Sequence, residues 1–195
     1  ELGKDLKLID LVRTNIPKSQ FGVNIHGNLF EALIGAIYLD RSFSYVTLDA
    51  DDEMYPNKIS RMLSVFKNDP MRIGAVYGDY DTLDTSSNKI IREYKEPFSR
   101  HRLVEECIVH SGSMVSAQAF LETEEETGYY DRTMRVCEDY DLWMRISEKY
   151  VIAHVPKSLT LVRVTGDNSS FIVNKGVWEQ NWSRVREKLH NRANV

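Results

Sequence analysis

The fold of this chain is limited first by a short apolar run that leads directly into four carboxylates, YVTLDADDE over residues 45–53. The β-branched and aromatic residues predict a strand, with the acids at its carboxyl end. Carboxylates this close together repel, so they stay ionised only beside water, a cation or a positive partner. Ligands of open α/β sheets bind beyond the carboxyl ends of strands. The stretch therefore indicates a site for Mg²⁺ or Mn²⁺, with a solvated acidic turn as an equal alternative on spacing alone.

The composition is that of an ordinary soluble globular protein. With 195 residues, 42% hydrophobic and 28% charged, the chain can form one domain or two small ones. The net charge of −4 argues against nucleic-acid binding. Cys107 and Cys137 lack metal-type spacing, which predicts free thiols in a reducing compartment. There is neither a membrane-spanning apolar run nor an N-terminal secretory signal, so we expect a cytoplasmic protein.

A second group of acids opens a predicted helix about ninety residues further along the chain. Apolar residues recur at helical spacing over residues 142–146, and Glu138, Asp139 and Asp141 lie in or before the first turn. Acids at this position are stabilised by the helix dipole and can cap free amides. Such a structural role can account for one or two of the three. Two acid groups this far apart in the sequence indicate that the two groups have different functions.

The remaining pattern alternates strands and helices. A helix led by Pro56 follows the acidic stretch, with apolar residues at helical spacing over 59–66. Further strands are predicted over 73–78, 89–94, 151–155 and 159–164, loops over 79–81 and 85–88, short helices over 102–109 and 115–121, and an amphipathic helix over 178–189.

The first forty-odd residues resemble part of a nuclease domain. Residues 28–40 predict an apolar helix in which Asn28 and Glu31 have capping-box spacing. GNLFEALIGAIYLDRSF, within residues 1–43, resembles the second signature region of ribonuclease III domains, and the preceding LVRTNIPKSQFG resembles the loop before that region. The resemblance implies a metal-binding role for Glu31. The family has two acids three residues apart on this helix, and the first of them is replaced here by an amide, Asn28. The family's main acidic signature is absent, and one glutamate cannot hold the cations that phosphodiester cleavage needs.

Four later segments resemble the second half of a family 2 glycosyltransferase of the GT-A type, over residues 44–171. They are YVTLDADDEMYPNKISRMLSVF, VYGDYD, GYYDRTMRVCEDYDLWMRIS and LTLVRVTGDNSS. A lone DxD is weakly specific, whereas DxDD, a proline-led helix and EDYDLWxR together are much more so. The resemblance implies transfer of a sugar from a nucleotide-diphosphate donor to an acceptor hydroxyl, usually with inversion.

For the donor, the resemblance implies that Asp49 and Asp51 hold Mn²⁺ or Mg²⁺, with Asp51 as the leading ligand. The cation would neutralise the charge that develops on the departing diphosphate. Asp52 would orient the ribose or the metal's waters, and Arg163 lies in the loop expected over the diphosphate. Thr165 stands where many members of the family have a histidine, so a metal or phosphate contact from this loop is left open.

For the acceptor, the resemblance implies a carboxylate base. The hydroxyl must lose its proton as it attacks the anomeric carbon. Asp139 occupies the family's base position, with Glu138 as the supporting acid. Trp143 and Arg145 resemble packing and anchoring residues of the same helix.

The two resemblances meet near residues 43–45 and describe a composite chain. We predict a helical segment over 1–43, a partial GT-A domain over 44–173 and an amphipathic helix over 174–195. The expected fold class is α/β, a Rossmann-like mixed sheet flanked by helices. In the family about half of the domain precedes the DxD, so the strand at 46–48 is expected to lack its usual neighbours. An open sheet edge of that kind would favour self-association.

Three hypotheses follow, in this order. The first is a nucleotide-sugar transferase, whose activity is left open by the missing nucleoside-binding half. Its partners would be a nucleotide-diphosphate sugar and a hydroxyl acceptor. The second is a catalytically silent scaffold in which both acid groups are caps and surface features. The third is a ribonuclease III-type fragment centred on Glu31.

Overall fold

The computed structural model describes residues 37–39, 42–49, 52–110, 112–126, 128–165 and 173–193. Its strands are β1 (Ile37–Leu39), β2 (Ser42–Val46), β3 (Glu53–Met54), β4 (Ile73–Asp84), β5 (Lys89–Glu93), β6 (Met114–Ser116) and β7 (Val151–Val164). Its helices are α1 (Lys58–Asn68), α2 (Arg100–Glu105), α3 (Ala117–Leu121), α4 (Glu138–Lys149) and α5 (Lys175–Ala193). The predicted helix over 28–36, with Asn28 and Glu31, lies outside the described residues.

The strands form one mixed sheet in the order β1-β2-β6-β4-β7-β3, with β5 also paired to β4. The pairing of β4 with β7 is parallel, and the other described pairs are antiparallel. The two long strands run side by side from Ile73 opposite Val151 to Asp84 opposite Val164. The predicted class, an α/β fold with a mixed sheet flanked by helices, is confirmed.

Helices cover both faces of this sheet, because successive side chains of a strand point to opposite sides. Ala75 and Tyr77 of β4 pack in one apolar cluster with Trp143 of α4. Val76, between them, packs in a second cluster with Met62 of α1. α1, which follows the acids of residues 49–53, and α4, which begins with Glu138 and Asp139, therefore lie on opposite faces of the sheet.

Both long strands extend further than the hydrophobic pattern predicted. Residues 79–81, expected in a loop, continue β4, and residues 156–158, expected to separate two strands, lie inside β7. The polar part of β4 stays extended because β5 and β7 pair with it on either side. These neighbouring strands supply hydrogen-bond partners for its backbone N–H and C=O groups. The break expected near Pro156 survives as a register shift, with Gly78 opposite Val155 and Asp79 opposite Ser158.

Residues 37–39 correct the N-terminal prediction. They form β1, antiparallel to β2, and are not the end of a helix. Ile-Tyr-Leu has a high strand propensity, and pairing with β2 satisfies its backbone. The strand expected over 46–48 lies earlier in the chain, as β2, and ends at Val46. It pairs with β1 through Ser42–Ser44 and with β6 through Ser44–Val46. Self-association through an incomplete sheet stays a prediction.

The longer helices match their predicted positions, and the short ones are shifted. α1 begins at Lys58, after a turn that contains Pro56. The helix expected over 102–109 ends at Glu105, and the first residues of the one expected over 115–121 belong to β6. Among the described residues, no helix combines the length and the apolar composition needed to cross a membrane.

The close contact between β4 and the end of α4 depends on Gly74. A Cβ at Gly74 would lie 2.4 Å from Tyr150 Cβ and 2.9 Å from Ile146 Cγ2. We expect Gly74→Ala to lower the free energy of unfolding by about 1–3 kcal/mol, since overpacking must move the helix, as measured by urea denaturation. Gly176→Ala, at the exposed start of α5, is the control and should be neutral or slightly stabilising. Equal stability of the two variants would contradict the expected rigidity of this contact.

Candidate functional site

The acidic turn, residues 49–53, follows Thr47, which is hydrogen-bonded to Ser113, the residue before β6. The Thr47 N–H donates to the Ser113 carbonyl at 3.0 Å, and the Thr47 hydroxyl accepts the Ser113 N–H at 3.2 Å. The Asp49 side chain is exposed, and its carbonyl accepts the Asp52 N–H at 3.1 Å. The turn therefore presents Asp49 toward solvent from a fixed base. Asp51, the leading predicted metal ligand, lies outside the described residues.

The far side of the acidic turn is attached to β7. Asp52 Oδ1 accepts the backbone N–H of Arg163 at 3.0 Å, and the Arg163 guanidinium forms an ion pair with Glu53. Glu53 also pairs with β7 through the backbone, opposite Leu161. The structure thus brings the two predicted donor-contacting residues, Asp52 and Arg163, together. A direct contact of either with a donor stays a prediction.

Glu138 and Asp139 open α4 after a residue of unusual conformation. Cys137, which precedes the helix, has a φ of 67°, in the left-handed region. Asp139 is partly buried and accepts the Tyr140 N–H at 2.7 Å. Burial, together with the charges of Glu138 and Asp49, raises the pKa of Asp139 to about 7. Burial also raises the pKa of Glu138, and Asp49 adds to that effect.

The two acid groups, distant in sequence, are close enough in the fold to interact electrostatically. The charge of Asp49 acts on both Glu138 and Asp139, and all three acids act on Tyr130, whose pKa is raised mainly by burial. Carboxylates that repel one another favour the approach of a cation. The structure therefore places Asp49 within electrostatic reach of Glu138 and Asp139, and a shared site stays a prediction.

The chemistry of this donor set fits a hard divalent cation. Its candidate ligands are carboxylate oxygens, which suit Mg²⁺ and Mn²⁺. Within the described ranges, no group of three acid, histidine or cysteine side chains is arranged to hold a metal ion. Mg²⁺ commonly uses one or two carboxylates and takes its other ligands from water and substrate phosphates. Asp49 with Asp51 would be such a pair.

The sequence reasoning missed Lys58 and Tyr130. Lys58 is fully buried, and burial lowers its pKa to about 8 against the attraction of Asp52 and Asp49. A cue was present, since Lys58 lies four residues before Met62 and so on the buried face of the helix. Tyr130 lies in the GYYDR string just before the second acid group, but nothing in that string distinguished it from a packing residue.

Asp141, the third acid of the second group, has a structural role. It is fully buried and accepts hydrogen bonds from Arg145 Nε at 3.1 Å and Lys188 Nζ at 2.9 Å. Arg145 also donates to the Tyr129 carbonyl at 2.6 Å, and Trp143 is fully buried. These contacts anchor α4 to α5 and to the preceding loop, as inferred for Arg145 and Trp143. Asp141 acts as an ion-pair partner and not as a helix cap.

A short part of the chain is closely similar to ribonuclease 3. Over 45 residues it is 73% identical to ribonuclease 3 of Zunongwangia profunda and 62% identical to that of Flavobacterium psychrophilum. Each match covers 23% of this chain and 18% of the relative. The predicted resemblance to a ribonuclease III fragment is confirmed.

Most of the chain is similar to two synthases, although no protein-family profile matches it. It is 26% identical over 166 residues to chondroitin synthase of Escherichia coli, which covers 85% of this chain and 24% of the relative. It is 25% identical over 191 residues to hyaluronan synthase of Pasteurella multocida, covering 97% and 19%. The chain thus spans less than a quarter of the length of these relatives. The composite resemblance is confirmed, and the chain contains a glycosyltransferase-like domain.

The raised pKa of Asp139 predicts a pH-dependent stability. A folded-state value of about 7, above the usual carboxyl value near 4, means that stability is lost as the pH rises through this interval. We expect Asp139→Asn to raise the thermal midpoint at pH 8 by several degrees and to leave it nearly unchanged at pH 4, in scans with chelator. Asp69→Asn, at a half-exposed carboxylate after α1, should show no such pH-dependent gain. A gain of equal size at both pH values would contradict the prediction.

Proposed function

We propose that this chain carries a metal-dependent transferase domain, which moves a sugar from a nucleotide-diphosphate donor to an acceptor hydroxyl with inversion. The observation that carries the proposal is that the charge of Asp49, three residues after the end of β2, acts on Glu138 and Asp139, at the start of α4. Sugar transfer needs a cation-binding acid for the leaving group and a base for the acceptor within one site. The similarity to chondroitin and hyaluronan synthases supports this class of reaction.

On the donor side, Asp49 and Asp51 would hold Mn²⁺ or Mg²⁺. Bound there, the cation would neutralise the negative charge of the departing nucleotide diphosphate. Asp52, bonded to the Arg163 N–H, would keep the acidic turn in shape. The guanidinium of Arg163, partly exposed beside Glu53, would supply further positive charge near the phosphates.

On the acceptor side, Asp139 would accept the hydroxyl proton. A general base works best with a pKa near the working pH, and the value of about 7 meets that requirement. Glu138 supports the base by raising that pKa through its charge. The acceptor oxygen would bond to the anomeric carbon on the face opposite the diphosphate as the carbon–oxygen bond to the diphosphate breaks. This single displacement inverts the anomeric centre.

The named relatives support a carbohydrate acceptor. Chondroitin and hyaluronan, the products in the names of the two synthases, are polysaccharides built by adding sugars to a chain. We infer that the acceptor hydroxyl of this domain belongs to a sugar chain.

A catalytically silent scaffold is the second candidate. Two observations favour it: the described residues hold no set of three metal ligands, and the chain spans less than a quarter of the synthases. In that case the acids would affect stability and surface charge without binding a donor.

Nucleotide binding separates these two candidates. We expect calorimetric titration with a panel of nucleoside diphosphates to give binding that requires Mn²⁺. Asp49→Asn should weaken it at least about tenfold, because the variant loses a charged ligand. Asp139→Asn should keep binding but lose about 10²–10⁴-fold in transfer rate. Asp69→Asn is the matched control, and binding of no diphosphate in the presence of Mn²⁺ would favour the scaffold.

We expect no nuclease activity from the ribonuclease-like part. Cleavage of duplex RNA needs several carboxylates to hold its cations, and the resemblance supplies Glu31 with Asn28 in place of the second acid. Incubation with labelled duplex RNA and Mg²⁺ should leave the RNA intact, with Glu31→Gln behaving identically. Cleavage that Glu31→Gln abolishes would restore the nuclease hypothesis.

A further inference from the structure

β5 is an edge strand of the sheet. Among the described residues it pairs with β4 alone, from Lys89 opposite Asp84 to Glu93 opposite Tyr80. The side of an edge strand that faces away from its partner presents a row of backbone N–H and C=O groups, which can pair with a further strand. This edge is separate from the strand expected over 46–48, where the sequence predicted an open edge.

β5 lacks several of the features that usually protect an edge strand. Proteins blunt exposed edges with very short strands, proline, bulges or charged side chains. β5 has five residues, contains no proline and pairs with β4 without a register shift. Ile90 and Ile91 are 58% and 45% exposed, and Tyr94, directly after the strand, is 76% exposed. An exposed apolar patch therefore lies along the open edge, a combination that favours contact with another protein surface.

The charged residues at the ends of β5 complement each other if a second copy of the strand runs antiparallel to the first. A two-fold axis perpendicular to the sheet then places each side chain opposite one on the same face. With the axis at Ile91, Lys89 of each copy lies opposite Glu93 of the other, and the two Ile91 side chains meet at the centre. Opposite charges and apolar pairs at directly opposed positions stabilise strand pairing.

The neighbouring registers are less favourable. Because side chains alternate between faces, the two-fold register can change only by moving the axis from one residue to another. With the axis at Arg92, two guanidinium groups would lie opposite each other, and like charges at such positions are destabilising. With the axis at Ile90, Lys89 would lie opposite Ile91 and lose its charged partner. The axis at Ile91 is therefore the one that matches the charges of the whole strand.

Arg92, the remaining charged residue of β5, is already balanced within its own chain. Its Nη2 lies 3.5 Å from Asp79 Oδ2, and its Cζ lies 4.9 Å from the centre of the Tyr94 ring. The apolar stem of an arginine can still pack against a neighbour while its head group is held elsewhere. Ile90 of a second copy, which lies opposite Arg92 in this register, would pack against that stem.

We propose that the open edge of β5 is the contact surface for a second copy of this chain, with the two β5 strands paired antiparallel about Ile91. The pairing joins the two sheets into one continuous sheet. Since a two-fold contact uses the same surface on both copies, assembly stops at the dimer. The surface does not include Asp49, Glu138 or Asp139, so the proposal is independent of the proposed function.

Sedimentation equilibrium of the full chain tests the surface. We expect the average mass to rise with protein concentration toward that of a dimer and to stop there. Ile91→Lys should weaken dimerisation at least about tenfold, because two ammonium groups would meet at the axis. Met71→Lys introduces the same charge at a 70% exposed residue before β4, and as the control it should change the dissociation constant less than about twofold. A monomer at every concentration, a mass that rises beyond the dimer, or equal effects of the two variants would overturn the proposal.

A charge exchange tests the register. Lys89→Glu alone, or Glu93→Lys alone, would place like charges opposite each other at both ends of the paired strands, and each should weaken dimerisation about tenfold. An equal mixture of the two variants again places each glutamate opposite a lysine. The mixture should therefore dimerise within about threefold of the unmodified chain. A mixture that dimerises no better than the separate variants would overturn the pairing about Ile91.

Discussion

The parallel pairing of β4 and β7 is the contact on which the rest of the structure depends. Parallel neighbours cannot be joined by a tight turn, so the chain between them must cross over the sheet. α4 is the last helix of that crossover and packs on one face through Trp143. β7 also pairs with β3 and receives the Lys58 ammonium at Thr160. One strand pair thereby sets the positions of both acid groups.

The candidate site is defined by a balance of charge. Burial raises the pKa of Glu138 and of Asp139, the charge of Asp49 adds to both effects, and Glu138 raises the pKa of Asp139 further. Lys58 is fully buried, and burial lowers its pKa against the attraction of Asp52 and Asp49. Burial is the main cause of the raised pKa of Asp139, and the neighbouring carboxylates add to it.

Local pattern predicted the helices better than the limits of the strands. A helix makes its hydrogen bonds within its own segment, so α1, α4 and α5 follow from apolar spacing alone. The polar part of β4 is extended because β5 and β7 bond to it from either side. Residues 37–39 form a strand for a related reason, since β2 supplies the partner. The pairing partners of a strand are not encoded in its own residues.

By itself, the sequence determined that the chain is composite and that its larger part is glycosyltransferase-like. It also predicted Asp51 with Asp49 as metal ligands, and Asp139 with Glu138 as the base and its supporting acid. Only the tertiary structure decided that the charge of Asp49 acts on Glu138 and Asp139, that Asp52 is held by the backbone of Arg163, and that Lys58 is buried. The physical reason is that side-chain chemistry and helical spacing are local properties. Burial and charge coupling arise only when distant segments pair in one sheet.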